Sequence, residues 1–125
     1  MEFNFAEKVT ILGQDYTIEV VKRGEDPLFK GEHDGAFGVT DYMTKRIVLR
    51  DRSEDYCWKD VGESEILGYT KKTLRHEIVH AFLMESGLHN ATKIGGPWAR
   101  NEEMVDWFAL QGPKLVKAWT ESGAL

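Results

Sequence analysis

Several features are scarce in this chain of 125 residues, and each scarcity removes a class of protein. There is one cysteine, Cys57, so no internal disulfide can form and the pattern is not that of an oxidising compartment. No histidine signature surrounds it, so Cys57 reads as a half-buried thiol packed beside Trp58 rather than as a nucleophile. Prolines number three and glycines twelve, and they punctuate the chain without forming a linker. No apolar run approaches the roughly 18 residues of a membrane-spanning helix. Met1–Lys8 lacks a basic stretch leading into an apolar one, so no signal peptide is expected and the expected location is cytoplasmic. Positive charge is short as well: 16 Lys and Arg face 21 acids, a formal net charge of -5. That balance argues against nucleic acid and anionic membrane as partners, because both select basic surfaces.

What is present is the composition of a soluble globular protein, 42% apolar and 30% charged, at a length that suits one domain spanning 1–125. The first half reads as strands. Val9–Leu12 is rich in β-formers, Gly13-Gln14-Asp15 reads as a turn, and Tyr16–Val21 alternates apolar with polar residues, which predicts a hairpin. Arg23–Gly35 is charged and glycine-rich, a loop; Ala36–Tyr42 and Arg46–Leu49 are two further short strands; Asp51–Gly62 is polar and irregular.

The second half reads as helices. Tyr69–Ser86 carries Leu74, Ile78, Ala81 and Phe82 at the spacing of a buried helical face, with Thr70 or Thr73 as its cap and Gly87 as its end. Leu88–Arg100 reads as a loop around Gly95-Gly96-Pro97. Asn101 can cap a helix over Glu102–Gln111, Gly112-Pro113 should break or kink it, and Lys114–Thr120 continues with Leu115, Val116 and Trp119 inward. Strands first and helices after predict an α+β domain, a small antiparallel sheet of three or four strands packed on two helices.

Within the strongest helical segment stands His76-Glu77-Ile78-Val79-His80, the pattern HExxH. Residues i and i+4 stack on one face of a helix, about 6 Å apart, so two imidazoles can converge on one metal ion. Glu77, rotated by about 100° from His76, can reach the rim of such a site and take a proton from water there. With four His and thirteen Glu, chance alone produces the pattern in about one such chain in eighty. Two imidazoles and a carboxylate buried on a helix for packing alone would cost several kcal/mol unless partners were supplied. A metal supplies them.

Catalytic zinc takes three protein ligands and keeps one position open. A histidine six residues beyond His80 would fall on Ser86, and one four beyond on Met84; neither position serves. His89, nine beyond, is an unusual spacing. The favoured third ligand is a carboxylate from Asn101-Glu102-Glu103-Met104-Val105-Asp106, at the start of the next helix. Glu102 and Asp106 share a face as i and i+4, so Glu102 can bind metal while Asp106 orients a ligand histidine; Glu103 is the alternative after a small rotation. Zinc suits a His-His-Glu set best, although copper or nickel would also bind in vitro.

At these residues the sequence resembles the gluzincins, which pair HExxH on one helix with Asn-Glu-x-x-x-Asp on a following one. The stretch Asp106-Trp107-Phe108-Ala109 resembles the segment after the third ligand in ImmA/IrrE-like proteases. More broadly, Leu74–Gly87 with Asn101–Lys117 looks like small zincin-like proteins encoded by phages and prophages of Gram-positive bacteria. The resemblance covers about a third of the chain. It implies a zincin-like fold, zinc on His76, His80 and Glu102, Glu77 as general base, Asp106 behind a ligand, and a peptide or protein as substrate. It also implies that a strand at the cleft edge, Ala36–Tyr42 or Arg46–Leu49, runs antiparallel to the bound peptide.

The chain is much shorter than thermolysin-like members of that family, with no room for a second lobe. Tyr42, Tyr56, Tyr69 and His89 are the candidates to stabilise an oxyanion. The expected activity is hydrolysis of a peptide bond by metal-activated water. The alternative is a non-catalytic, zinc-containing binding module, to which exposed aromatics such as Trp58 and Trp98 would contribute.

Overall fold

The alternation near the N-terminus produces a hairpin, and two residues close it. In a computed structural model, which describes residues 1–91 and 100–123, β1 (Lys8–Ile11) pairs antiparallel with β2 (Gln14–Val21). Leu12 and Gly13 between them have φ of 48° and 86°. Two consecutive positive φ values make a tight turn whose twist suits the flanking strands. The turn therefore falls a residue earlier than Gly13-Gln14-Asp15, and Gln14 and Asp15 join β2.

A second hairpin joins β3 (Gly38–Asp41) to β4 (Arg46–Arg50). Asp41 shapes its turn by accepting from the Met43 amide at 3.1 Å and the Thr44 hydroxyl at 2.7 Å. The strand order is β1-β2-β4-β3, and β2 runs parallel to β4, from Thr17 opposite Arg46 to Val21 opposite Arg50. The sheet is thus mixed rather than antiparallel. The reason lies in β4: Ile47-Val48-Leu49 is apolar on both faces, which demands a central position with cover on each side. Ile47 and Leu49 pack with Ile11, Tyr16 and Ala81 on one face, and Val48 packs with Phe29 and Val39 on the other. Phe29 comes from the segment read as loop, where two single 3-10 turns form, 27–29 and 31–33; the first sets Phe29 against the sheet.

Helix α1 (Glu63–Glu85) begins well before Tyr69. Gly62 caps it and Glu63 and Glu65 supply the acidic first turn that a helix N-terminus favours. Thr70 and Thr73 are interior and cap nothing; their hydroxyls donate back to the Ile66 and Tyr69 carbonyls at 2.8 and 3.0 Å. The buried stripe is Ile66, Thr70, Thr73, Glu77 and Ala81. Phe82 lies beside that stripe and is exposed, against expectation, while Leu74 and Ile78 are partly buried. Gly87, at φ 84°, ends the helix as predicted.

A short α2 (Leu88–Ala91) follows where a loop was expected; Gly95-Gly96-Pro97 and Trp98 lie outside the described residues. Helix α3 (Glu102–Ser122) starts at Asn101, whose Oδ1 accepts from the Met104 amide at 2.9 Å. It continues unbroken through Gly112-Pro113. A helical proline lacks the N–H that would bond the carbonyl four residues earlier. Here that carbonyl is Ala109, and it accepts from Arg75 Nε of α1 at 2.7 Å. Arg75 thus replaces the missing donor and the helix continues. Leu115 is half-buried and Val116 is exposed rather than inward, whereas the Trp119 side chain lies outside the described part. Cys57 is exposed, not half-buried, because its turn (Tyr56–Trp58) directs Trp58 inward against Phe37 and Tyr69. Among the described residues no helix is long and apolar enough to cross a membrane.

Candidate metal centre

The stripe of α1 that faces the sheet contains Glu77, while His76 and His80 fall on the flank that meets α3. One turn apart, the imidazoles sit edge to face with centroids 4.8 Å apart and Nε2 atoms 3.1 Å apart. Glu102, in the first turn of α3, reaches both: Oε2 is 3.0 Å from His76 Nε2 and Oε1 is 3.2 Å from His80 Nε2. One donor atom from each residue lies within 4.8 Å of the others, so these three could hold a metal ion. The fit can be tested against coordination chemistry. Tetrahedral zinc with bonds of about 2.0–2.1 Å sets its ligand atoms about 3.3 Å apart. The two Nε2 atoms, 3.1 Å apart, are near that edge, and Glu102 meets each of them with a different oxygen, at 3.0 and 3.2 Å.

The surroundings favour the ligating forms. Burial pushes the His80 imidazole below its ordinary pKa, toward the neutral ring that binds metals. Its Nδ1 is buried without a hydrogen-bond partner among the described residues. Asp106 places Oδ1 3.4 Å from His76 Nδ1 and also pairs with Lys72, whose hydrogen bond holds that carboxyl below the usual range. Asp106 thus stands beside the His76 ring nitrogen that faces away from Glu102, where it could orient the ring. Glu103 is exposed and outside the group. His89 lines the same cleft without joining the donor set, and burial lowers its pKa.

Glu77 is 5% exposed, and burial raises its pKa above the ordinary carboxylate value. The Thr40 hydroxyl of β3 donates to its Oε2 at 2.6 Å, which works against that rise. Gly38, two residues before Thr40 on the same face of β3, makes the approach possible. A Cβ there would stand 2.7 Å from Thr73 Cγ2 and 2.9 Å from Glu77 Cγ. Glycine in a strand interior often marks such a close approach, and Gly38 between Phe37 and Val39 carried that signal unread.

The cleft above these groups encloses about 650 Å³. Residues 36–40 form one wall, and β3 is an edge strand whereas β4 is interior, so only β3 can border a bound chain. Of the candidate oxyanion donors, His89 lines the cleft; Tyr42, Tyr56 and Tyr69 do not, and all three are exposed elsewhere. Thr40, His33 and Arg52 line it too, and sequence reasoning passed over each of them. Arg52 and His33 sit in irregular segments with no periodicity to single them out. Comparison with protein-family models, with curated proteins and with solved structures finds no match for this chain.

Proposed function

We propose that the protein is a zinc-dependent peptidase of minimal gluzincin type, cytoplasmic, acting on peptide or protein. The observation that carries this reading is the convergence of His76, His80 and Glu102 donor atoms within 4.8 Å, with a buried carboxylate, Glu77, on the same helix. The donor set of two imidazoles and one carboxylate is that of hydrolytic zinc sites with an open position. Bound there, zinc would supply Lewis acidity to water and to the scissile carbonyl.

The chain's own groups do the rest. Glu77 accepts the proton of the attacking water and hands it to the leaving amine. Its burial raises its affinity for that proton, and Thr40 holds its carboxylate in place. Asp106, anchored by Lys72, keeps the His76 ring turned toward the cleft. An extended peptide lies along β3, using the free edge of that strand for main-chain hydrogen bonds.

The test is elemental analysis of wild type, Glu102→Ala and Glu77→Gln, followed by hydrolysis of a fluorogenic peptide library. One zinc per chain in wild type and in Glu77→Gln, lost in Glu102→Ala, with turnover only in wild type, is expected. Absence of zinc from wild type after refolding with metal would remove the reading. A non-catalytic binding module is the second reading, favoured by the exposed Trp107, Phe108 and Leu110 on α3. Turnover lost in Glu77→Gln with metal retained excludes it.

A further inference from the structure

Arg52 is the feature of the cleft that zinc chemistry leaves unused. It follows β4 in a single 3-10 turn (Arg52–Glu54) and is 7% exposed. Its Nη2 donates to Thr73 Oγ1 at 2.6 Å. The guanidinium carbon lies 4.1, 4.9 and 5.4 Å from the ring centroids of Phe37, Trp58 and Tyr69. Arginine this deeply buried is ordinarily matched by a carboxylate. Among the described residues none forms an ion pair with Arg52. Nearby Asp55 pairs with Arg50 at 3.1 Å and Arg23 at 3.7 Å, and it acts on Arg52 only through space. The aromatic rings attract the cation but offer no hydrogen-bond acceptor in the guanidinium plane. Nε and Nη1 bond no described residue, are not sealed from solvent, and belong to a side chain that lines the cleft.

We infer that Arg52 is a specificity determinant that binds a carboxylate of the substrate peptide within one or two residues of the scissile bond. This rests on the peptidase reading. Thr73 stands four residues before Glu77 on the buried stripe of α1, so Arg52 is anchored about 6 Å along the helix from the general base. An extended peptide advances about 3.3 Å per residue, which sets the distance at one to two residues. In a chain of net charge -5, the cleft lining still balances Arg52 and Arg100 against Glu77 and Glu102, with Lys72 already paired to Asp106. A planar guanidinium suits a carboxylate because two parallel N–H groups meet two oxygens. That carboxylate is either the C-terminus of the peptide or an Asp or Glu side chain.

Binding, not turnover, tests this. Three probes are titrated calorimetrically into zinc-loaded Glu77→Gln protein: N-acetyl-Ala-Ala-Ala with a free C-terminus, its C-terminal amide, and N-acetyl-Ala-Ala-Glu amide. At least one acidic probe should bind about tenfold or more tighter than the neutral amide. A tighter free acid identifies the C-terminus as the source, and a tighter Glu peptide identifies the side chain. Adding Arg52→Gln should erase the preference while leaving the neutral amide unchanged. Equal binding of acid and amide overturns the inference, and so does a preference that survives Arg52→Gln, since zinc would then be holding the carboxylate. If Arg52→Gln does not fold, Arg52→Lys replaces it and should cut the preference at least about threefold, because the paired N–H groups are lost; an unchanged preference overturns the proposal. A chain that holds no zinc defeats the peptidase reading alone, and the same calorimetric titrations of wild type and Arg52→Gln still decide whether Arg52 takes the anion.

Discussion

Replacing Gly38 with alanine tests the contact that brings Glu77 to its position. The new Cβ would sit 2.7 Å from Thr73 Cγ2, 2.9 Å from Glu77 Cγ and 3.0 Å from Glu77 Oε1. Ordinary carbon contacts begin near 3.5 Å, so β3 and α1 must part by roughly 0.8 Å or the two side chains must leave their places. Overpacking of this kind costs about 1–3 kcal/mol. With an unfolding entropy near 2.1 cal/mol/K per residue, a chain of this length loses about 4 °C of Tm per kcal/mol, or roughly 4–12 °C in all. Gly38 lies outside the left-handed region, so backbone strain adds nothing and the whole effect is steric. Thermal unfolding followed by circular dichroism measures it. Gly68→Ala is the control: that glycine is exposed inside α1 with open space around it, and alanine there should add about 0.5–1 kcal/mol. Thr73→Ser in the Gly38→Ala background removes the nearest methyl group and should recover part of the loss. A Gly38→Ala protein as stable as wild type would refute the close approach of β3 to α1.

Three further outcomes follow from single contacts. Thr40→Val keeps the shape of the side chain but removes the donor to buried Glu77; it should cost about 1–3 kcal/mol in urea unfolding, and an unchanged midpoint would contradict the contact. Arg75→Met should cost about 1–2 kcal/mol by orphaning the Ala109 carbonyl, and much less when Pro113→Ala restores the missing N–H; strictly additive effects in that double-mutant cycle would dismiss the substitution of one donor for the other. The Leu28 amide and Arg46 hold the Asp26 carboxyl below the usual range. A group depressed in the folded state stabilises it fully above its unfolded pKa and loses that contribution as pH falls through the folded one. Wild type should therefore melt above Asp26→Asn at neutral pH, and the two should converge as pH drops below about 4. A gap independent of pH would count against it.

Period and spacing carried much of this architecture. Alternation in Tyr16–Val21, the helical repeat around HExxH and the capping Asn101 each depend on neighbours in sequence, and each corresponds to an element of the fold. The juxtaposition of His76, His80 and Glu102 was legible because i and i+4 geometry fixes two of them and a helix start fixes the third. The parallel seam between β2 and β4 was not, since it depends on how residues 22–37 cross the sheet, and no local pattern encodes a crossing. Thr40 and Arg52 escaped for the same reason: each gains its role from a partner on α1, at 37 and 21 positions of sequence separation. Pro113 misled because the rule that prolines break helices assumes that no donor arrives from another helix.

That last exception gives α3 an address. A regular helix presents no unmet carbonyl along its interior, so a neighbour packed on it can slide by a turn with little penalty beyond side-chain refitting. Pro113 creates a single unmet acceptor at Ala109, and Arg75 recognises it. The two helices are thereby indexed along their axes, like a pawl in the one notch of a smooth bar. Glu102 lies two turns before Ala109, and Arg75 is next in sequence to His76, so the notch sets the height at which the carboxylate meets the imidazoles. A slip of one turn, about 5.4 Å, would carry Glu102 past both rings. An apparent flaw in the helix thus sets the alignment on which the candidate site depends.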